Sequence, residues 1–221
     1  MNVTVSRTIP VIMVVLLGLA GCSSAAGDAF VQRGLRAYQN QDFDLAVTEL
    51  ERALQHETAS YELEEVYTLL GRAYEAKKDY PGAIAAHLKA IELDPEFHTA
   101  WVNLGIAYRL NGNLDEAEES YMDALRLEPN YAELHASLGA LYIFKNEPER
   151  ALQTLKHAIE LDPQLAVAHA NIAVAYALTG RFEQAEAALA QATALGYRNG
   201  EIIKARINAS KALFAEEPNR P

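Results

Sequence analysis

Residues 98–130 read HTAWVNLGIAYRLNGNLDEAEESYMDALRLEPN, and their spacing decides the fold. Trp101, Leu104, Gly105 and Tyr108 recur at i, i+3, i+4 and i+7, which places them on one stripe of a helix. Leu114, Ala117, Tyr121, Ala124 and Leu125 repeat that pattern a few residues later. Between the stripes, Gly112 and Asn113 mark a turn, and Pro129 keeps the second helix from running on. Gly105 and Ala117 let the two helix backbones approach closely, and Tyr108 fills the space beside them. The stretch is therefore a helical hairpin. Alone, such a pair cannot bury both of its faces.

Working outward, the same pattern returns along the chain. The small residues Gly34, Gly71, Gly105, Gly139 and Ala173 are separated by steps of 37, 34, 34 and 34. Ala46, Ala83, Ala117, Ala151 and Ala185 keep those steps, as do Ala53, Ala90, Ala124, Ala158 and Ala192. Tyr74, Tyr108, Tyr142 and Tyr176 follow the first ladder by three residues, and Pro95, Pro129 and Pro163 close the middle units. Residues 61–63 form an insertion between the first two units. Neighbours must stack to bury a continuous core, so stability is roughly a sum of nearest-neighbour terms.

Small residues at positions 8, 20 and 27, an aromatic at 11 and proline at 32 of a 34-residue period resemble the tetratricopeptide repeat (TPR). The resemblance covers residues 27 to 197, and Trp101 at position 4 completes the signature of the third unit. Units one and five depart from it: Ala37 stands at position 11, and Thr58 and Tyr197 stand where the proline would be. Terminal repeats are expected to be atypical because they cap the stack. The resemblance implies an all-α, right-handed α-solenoid of about five helix pairs, with units near 27–60, 64–97, 98–131, 132–165 and 166–197. In EIIKARINASKALF, residues 201–214, Ile203, Ile207, Ser210 and Phe214 share a face. A capping helix is expected over 198–215, followed by a flexible tail at 216–221.

The start of the chain differs in kind. Arg7 is the only charge before Asp28, and residues 9–20, IPVIMVVLLGLA, are a near-continuous apolar run. That run is well short of the ~20 residues a membrane-spanning helix needs. With its basic start it has the form of a signal peptide. An ordinary secretory signal is one reading. The tetrapeptide Leu19-Ala20-Gly21-Cys22, which holds the only cysteine, resembles the bacterial lipobox instead. That resemblance implies cleavage after residue 21 and diacylglycerol on the Cys22 thiol, with the new amino group usually acylated as well. Two or more chains give stable anchoring, at about 0.8 kcal/mol per buried methylene. Ser23 and Ser24 after the cysteine resemble an outer-membrane sorting signal. Residues 22–27 would then be the lipidated end and a short tether, whose five residues SSAAG span at most ~18 Å when extended.

The expected mature chain has 18 basic and 30 acidic residues, a net charge of -12. That balance argues against nucleic-acid binding, which needs a basic patch. No phosphate loop, nucleophile elbow or HExxH motif is present, and neither a catalytic constellation nor a cofactor or small-molecule substrate is expected. His135 and His169 share repeat position 4, where a metal reading competes with packing between helices; no cysteine or paired-acid ligands accompany them.

In TPR proteins, positions 2, 5, 6, 9, 12 and 13 of each first helix face the ligand, so the resemblance points to a protein partner. Position 5 is Val31, Thr68, Val102, Ala136 and Ala170, so the lysine of the chaperone-type carboxylate clamp is missing. The groove expected in units three to five is apolar: Val102, Ile106, Ala136, Ala140, Ile143, Ala170, Val174 and Ala177. Arg72 and Arg109 lie at its basic edge, and Asn103 and Asn171 occupy position 6. This face either receives a partner's helix or extended apolar segment, or packs within the stack and against the C-terminal segment. The architecture resembles two kinds of TPR lipoprotein, pilotins for type IV pilus secretins and adaptors for peptidoglycan hydrolases. The function expected is a scaffold facing the periplasm from the outer membrane. An adaptor or accessory subunit for a cell-wall or glycan-processing enzyme, and a soluble TPR protein with a misread leader, are the alternatives.

Overall fold

A computed structural model describes the backbone from residue 15 to 216 and side chains from residue 26 onward. Residues 1–14 of the signal-peptide reading, the Cys22 side chain and the tail beyond residue 216 lie outside the described residues. Among those described, the secondary structure is eleven helices: α1 (Val15–Gln39), α2 (Phe43–Ala53), α3 (Leu63–Ala76), α4 (Tyr80–Leu93), α5 (His98–Asn111), α6 (Leu114–Leu127), α7 (Ala132–Phe144), α8 (Pro148–Leu161), α9 (Ala166–Leu178), α10 (Phe182–Ala194) and α11 (Gly200–Glu216). The fold class is the all-helical one that the repeat implies. The described helices fall into two compact units, divided between residues 100 and 101.

Helix α1 runs without a break through residues 22–27, the stretch expected to be the lipidated end and short tether. At 1.5 Å per residue, five helical residues span about 8 Å, less than half the extended reach. The alanines and the apolar residues 15–20 favour helix propagation, and no proline interrupts residues 15–39. No described helix is long and apolar enough to cross a membrane.

Each hairpin closes by the same device. The residue at repeat position 15 has positive φ in all five units: Gln41 (62°), Lys78 (64°), Gly112 (89°), Asn146 (59°) and Gly180 (74°). The next backbone N–H then reaches back to the carbonyl at position 11, as from Asp42 to Ala37 (2.9 Å) and from Glu147 to Tyr142 (2.8 Å). These bonds satisfy carbonyls that the helix end would leave unpaired. Asp42 and Asp79 also cap the following helices, accepting from Leu45 N (3.1 Å) and Gly82 N (3.1 Å).

The core sits where the alanine ladders run. Every alanine at positions 20 and 27 is fully buried. At position 8 a larger residue is excluded. A Cβ built on Gly34, Gly71, Gly105 or Gly139 would lie within 2.8, 2.3, 2.4 or 2.5 Å of the side chain at position 24, which is Leu50, His87, Tyr121 or Leu155. In the first unit, Val31, Leu50, Val66 and Leu70 fill the core. In the second, Leu134, Leu141, Leu152 and Leu155 do so around Tyr121 and Tyr142. Between hairpins, Asp94 and Asp162 turn the chain by accepting from Glu96 N and Gln164 N (2.9 Å each).

The loop before α3 is tied to α1. Asp28 accepts from Ala59 N (2.9 Å), Ser60 N (3.2 Å) and Ser60 Oγ (2.6 Å). The Ser60 hydroxyl, helped by those two backbone donors, holds the Asp28 carboxyl below its ordinary value.

Candidate functional site

The ligand-facing repeat positions expected from the sequence lie on the first helices of the hairpins, and each unit has its own set. In the first unit a cavity of about 300 Å³ opens between α1 and α3, lined by Gly34, Leu35, Tyr38, Gln39, Leu50, Leu69 and Arg72. Glycine at position 34 keeps the floor low, because Leu50 occupies the place of its Cβ. The Arg72 guanidinium stands 5.6 Å from the centroid of the Tyr38 ring, close enough for a cation–π attraction. Tyr38 is itself held edge-on by Phe43, at 5.5 Å.

In the second unit, Val102, Asn103, Ile106 and Arg109 on α5 and Ala140 and Ile143 on α7 are half-buried. Beside them Phe144 is 63 % exposed, the most open large apolar residue among those described, and the Arg109 guanidinium lies 5.6 Å from its ring centroid. Ala136, Ala170, Val174 and Ala177 are buried, at most 2 % exposed. Ile203 and Ile207 of α11 share one buried cluster with Ala170, Val174 and Ala177. Phe214 rests over Gly180 and meets the Phe182 ring edge-on at 5.5 Å. Asn171 is half-buried on the same helix. The share of the groove expected on α9 is thus closed by the chain's own last helix, and the open share is on α5 and α7. Arg72 belongs to the separate cavity of the first unit.

The sequence pattern contained the cavity but did not single it out. Leu35, Tyr38 and Gln39 occupy positions 9, 12 and 13 of the first repeat, and Leu69 and Arg72 occupy positions 6 and 9 of the second. All five are ligand-facing positions. Phe144, at position 13 of the fourth repeat, was accessible by the same rule.

The two position-4 histidines have a structural occupation. His135 Nε2 lies 2.8 Å from the Pro129 carbonyl and His169 Nε2 lies 3.0 Å from the Pro163 carbonyl, so each ring donates to the loop six residues before it. His135 also meets His157 edge-on at 4.6 Å.

On the other helices of the second unit, Glu118 collects a polar network. It accepts from Lys145 Nζ (2.5 Å), Arg150 Nη2 (2.5 Å) and Tyr142 Oη (3.1 Å). Lys145 also reaches Asp115 (2.7 Å), and Arg150 reaches Glu147 (2.6 Å) while lying 4.0 Å from the Tyr142 ring centroid. Burial pushes the Glu118 carboxyl up, but the donated bonds from Lys145, Arg150 and Tyr142 outweigh it and leave it below the ordinary value. Burial and the Glu118 carboxylate push the Tyr142 phenol up to about 12, so it stays protonated as a donor. The network joins α6, α7 and α8 and offers no nucleophile with an adjacent base.

Comparison with known proteins agrees with this geometry. Residues 71–112 match the family profile described as TPR repeat, and residues 99–202 match the profile of the C-terminal domain of cilia and flagella-associated protein 70. No curated protein matches by sequence. Among solved structures, the chain is similar to TTC0263, a thermophilic TPR protein of Thermus thermophilus, with 24% identity over 85% of this chain and 100% of that one, TM-score 0.64. It is similar to MamA of Desulfovibrio magneticus RS-1, with 17% identity over 80% of this chain and 98% of that one, TM-score 0.68. A tetratricopeptide repeat protein of Parabacteroides merdae ATCC 43184 has 18% identity over 89% of this chain and 81% of that one, TM-score 0.67. At these identities the likeness is one of fold. The hairpins have the tetratricopeptide-repeat fold, and residues 71–112 match the repeat profile itself.

Proposed function

We propose that this tetratricopeptide-repeat chain is a non-enzymatic adaptor, held at a membrane by lipid on Cys22, that recruits another protein of the bacterial envelope through the first helices of its repeats. The carrying observation is the pair of guanidinium–aromatic sites on those helices, Arg72 with Tyr38 and Arg109 with the exposed Phe144. Aromatic and arginine side chains are the residues that dominate protein interfaces when desolvated. The lone cysteine in Leu19-Ala20-Gly21-Cys22 supports the anchor, and Ser23 and Ser24 support the periplasmic face of the outer membrane. With α1 helical up to Gln39, the repeats would stand close to that surface. Assembly of an envelope complex, such as a pilus secretin, is the role that asks only for a tethered stack. Service to a cell-wall enzyme uses the same surface and is the second reading.

Two experiments test the proposal. Metabolic labelling with a palmitate analogue should mark the wild type and not Cys22→Ala; label retained by the variant overturns the anchor, and a soluble location for the wild type restores the misread-leader alternative. Affinity capture from crosslinked membranes should recover an envelope protein with the wild type and lose it with Phe144→Glu. Recovery that is unchanged in that variant counts against the α5–α7 face. Turnover of a glycan substrate by purified residues 23–221 would replace the adaptor by an enzyme.

A further inference from the structure

The cavity between α1 and α3 differs from its surroundings in charge. The chain carries 30 acidic residues against 19 basic ones, yet no carboxylate lines this cavity. Acids do line the hollow along α6, where Asp115, Glu118, Glu119 and Asp123 gather, and the one between α8 and Arg181, which holds Glu149 and Glu160. Arg33, Arg52, Arg150 and Arg181 are each engaged by a carboxylate. Arg72 is exposed, has the Tyr38 ring as its neighbour, and forms no ion pair among the described residues. The Tyr38 hydroxyl, at the same opening, has no hydrogen-bond partner among them either. A cation and a phenol with free donors thus flank an apolar floor made by Leu35, Leu50 and Leu69.

We propose that this cavity takes a partner segment in which a side-chain carboxylate adjoins a bulky apolar residue. The carboxylate accepts from the Arg72 guanidinium, whose planar fork suits two parallel bonds. The apolar neighbour enters over Leu35 and Leu69. A volume of about 300 Å³ is at the small end of ligand cavities, which run from about 300 to 1,000 Å³, and suits one or two side chains rather than a whole helix face. The Tyr38 ring holds the guanidinium in place before binding, so less side-chain freedom is lost on contact. The full chain has a net charge of -11, so it repels an acidic segment at long range. The acid therefore fixes register and specificity at a single local cation. This inference rests on the adaptor reading and specifies what that adaptor recognises in its first unit.

The test is fluorescence anisotropy on the full soluble chain, residues 23–221, with end-blocked dodecapeptides that carry Phe-Glu-Leu, Phe-Gln-Leu or Ala-Glu-Ala in a Gly/Ser background. The Phe-Glu-Leu peptide should bind, its glutamine twin about fivefold more weakly, as an exposed ion pair allows, and the alanine peptide not measurably. Arg72→Gln should erase the difference between Glu and Gln peptides while leaving the helical circular dichroism unchanged, since the side chain is exposed. Added salt should weaken the Glu peptide more than its twin. Equal binding of the twins to the wild type, discrimination kept by Arg72→Gln, or no binding of any peptide overturns the inference. Phe144→Ala separates it from the broader reading: peptide binding lost there, and indifferent to Arg72, leaves an adaptor that works through α5 and α7.

Discussion

At Gly105 the whole hairpin turns on one missing methyl. Its absent Cβ would stand 2.4 Å from Tyr121 Cε1, and Tyr121 is fully buried with no room to retreat. Gly105→Ala is therefore expected to destabilise the second unit by about 1–3 kcal/mol, the usual cost of overpacking, despite the better helix propensity of alanine. Urea unfolding checks it, and a stabilised variant would mean the helices separate freely. The opposite sign is expected at Lys78, whose φ of 64° asks an L side chain into the left-handed region. Lys78→Gly should raise stability by about 1 kcal/mol in the same measurement. The glycine ladder at position 8 was legible because the need for space repeats every unit. The turn at position 15 was not, since Gln41, Lys78 and Asn146 share no chemistry with Gly112 and Gly180. There the backbone, held by the bond from position 16 to the carbonyl at 11, imposes the conformation on whatever residue is present.

Between elements, long-range pairs of charge do what periodicity cannot announce. Lys77 with Asp44 and Lys145 with Asp115 join repeat position 14 to position 18 of the preceding repeat, at 2.6 and 2.7 Å. Glu118, only 19% exposed in its side chain, is the one where α6, α7 and α8 meet. Its carboxyl is held below the ordinary value in the folded state, so folding gains from its ionisation above the unfolded value near 4.3. That gain is lost as pH falls through the folded value. Glu118→Gln should cost about 2 kcal/mol at neutral pH, the scale of hydrogen bonds to a charged group. The gap between wild type and variant should narrow progressively below about pH 4. A gap that persists unchanged in acid would mean that packing, rather than charge, is what the substitution removes.

For the molecule as a whole, the repeats were legible as far as neighbour packing repeats and illegible where the repetition ends. Ala170, Val174 and Ala177 have the same apolar character as Val102 and Ile106, so the repeat resemblance placed them on one face, which could either receive a partner or pack against the C-terminal segment. The pattern of Ile203, Ile207 and Phe214 announced a cap, but nothing in its spacing said which side of α9 it would close. Only the contacts of α11 distinguish them. Ending the chain after Asn199 removes Ile203 and Ile207, which are 5% and 2% exposed, and returns Ala170, Val174 and Ala177 to water. At about 1.5–3 kcal/mol for each large side chain no longer buried, the last hairpin loses several kcal/mol. Because stability in stacked repeats is carried by neighbours, the loss should be local. Hydrogen exchange should quicken in α9 and α10 and stay unchanged in α1 and α2. Equal loss of protection at both ends would show that the repeats unfold as one cooperative body. With the loss confined to α9 and α10, the truncated chain would present on α9 the apolar face that the full-length one keeps covered, and it should bind a hydrophobic dye that the full-length chain excludes.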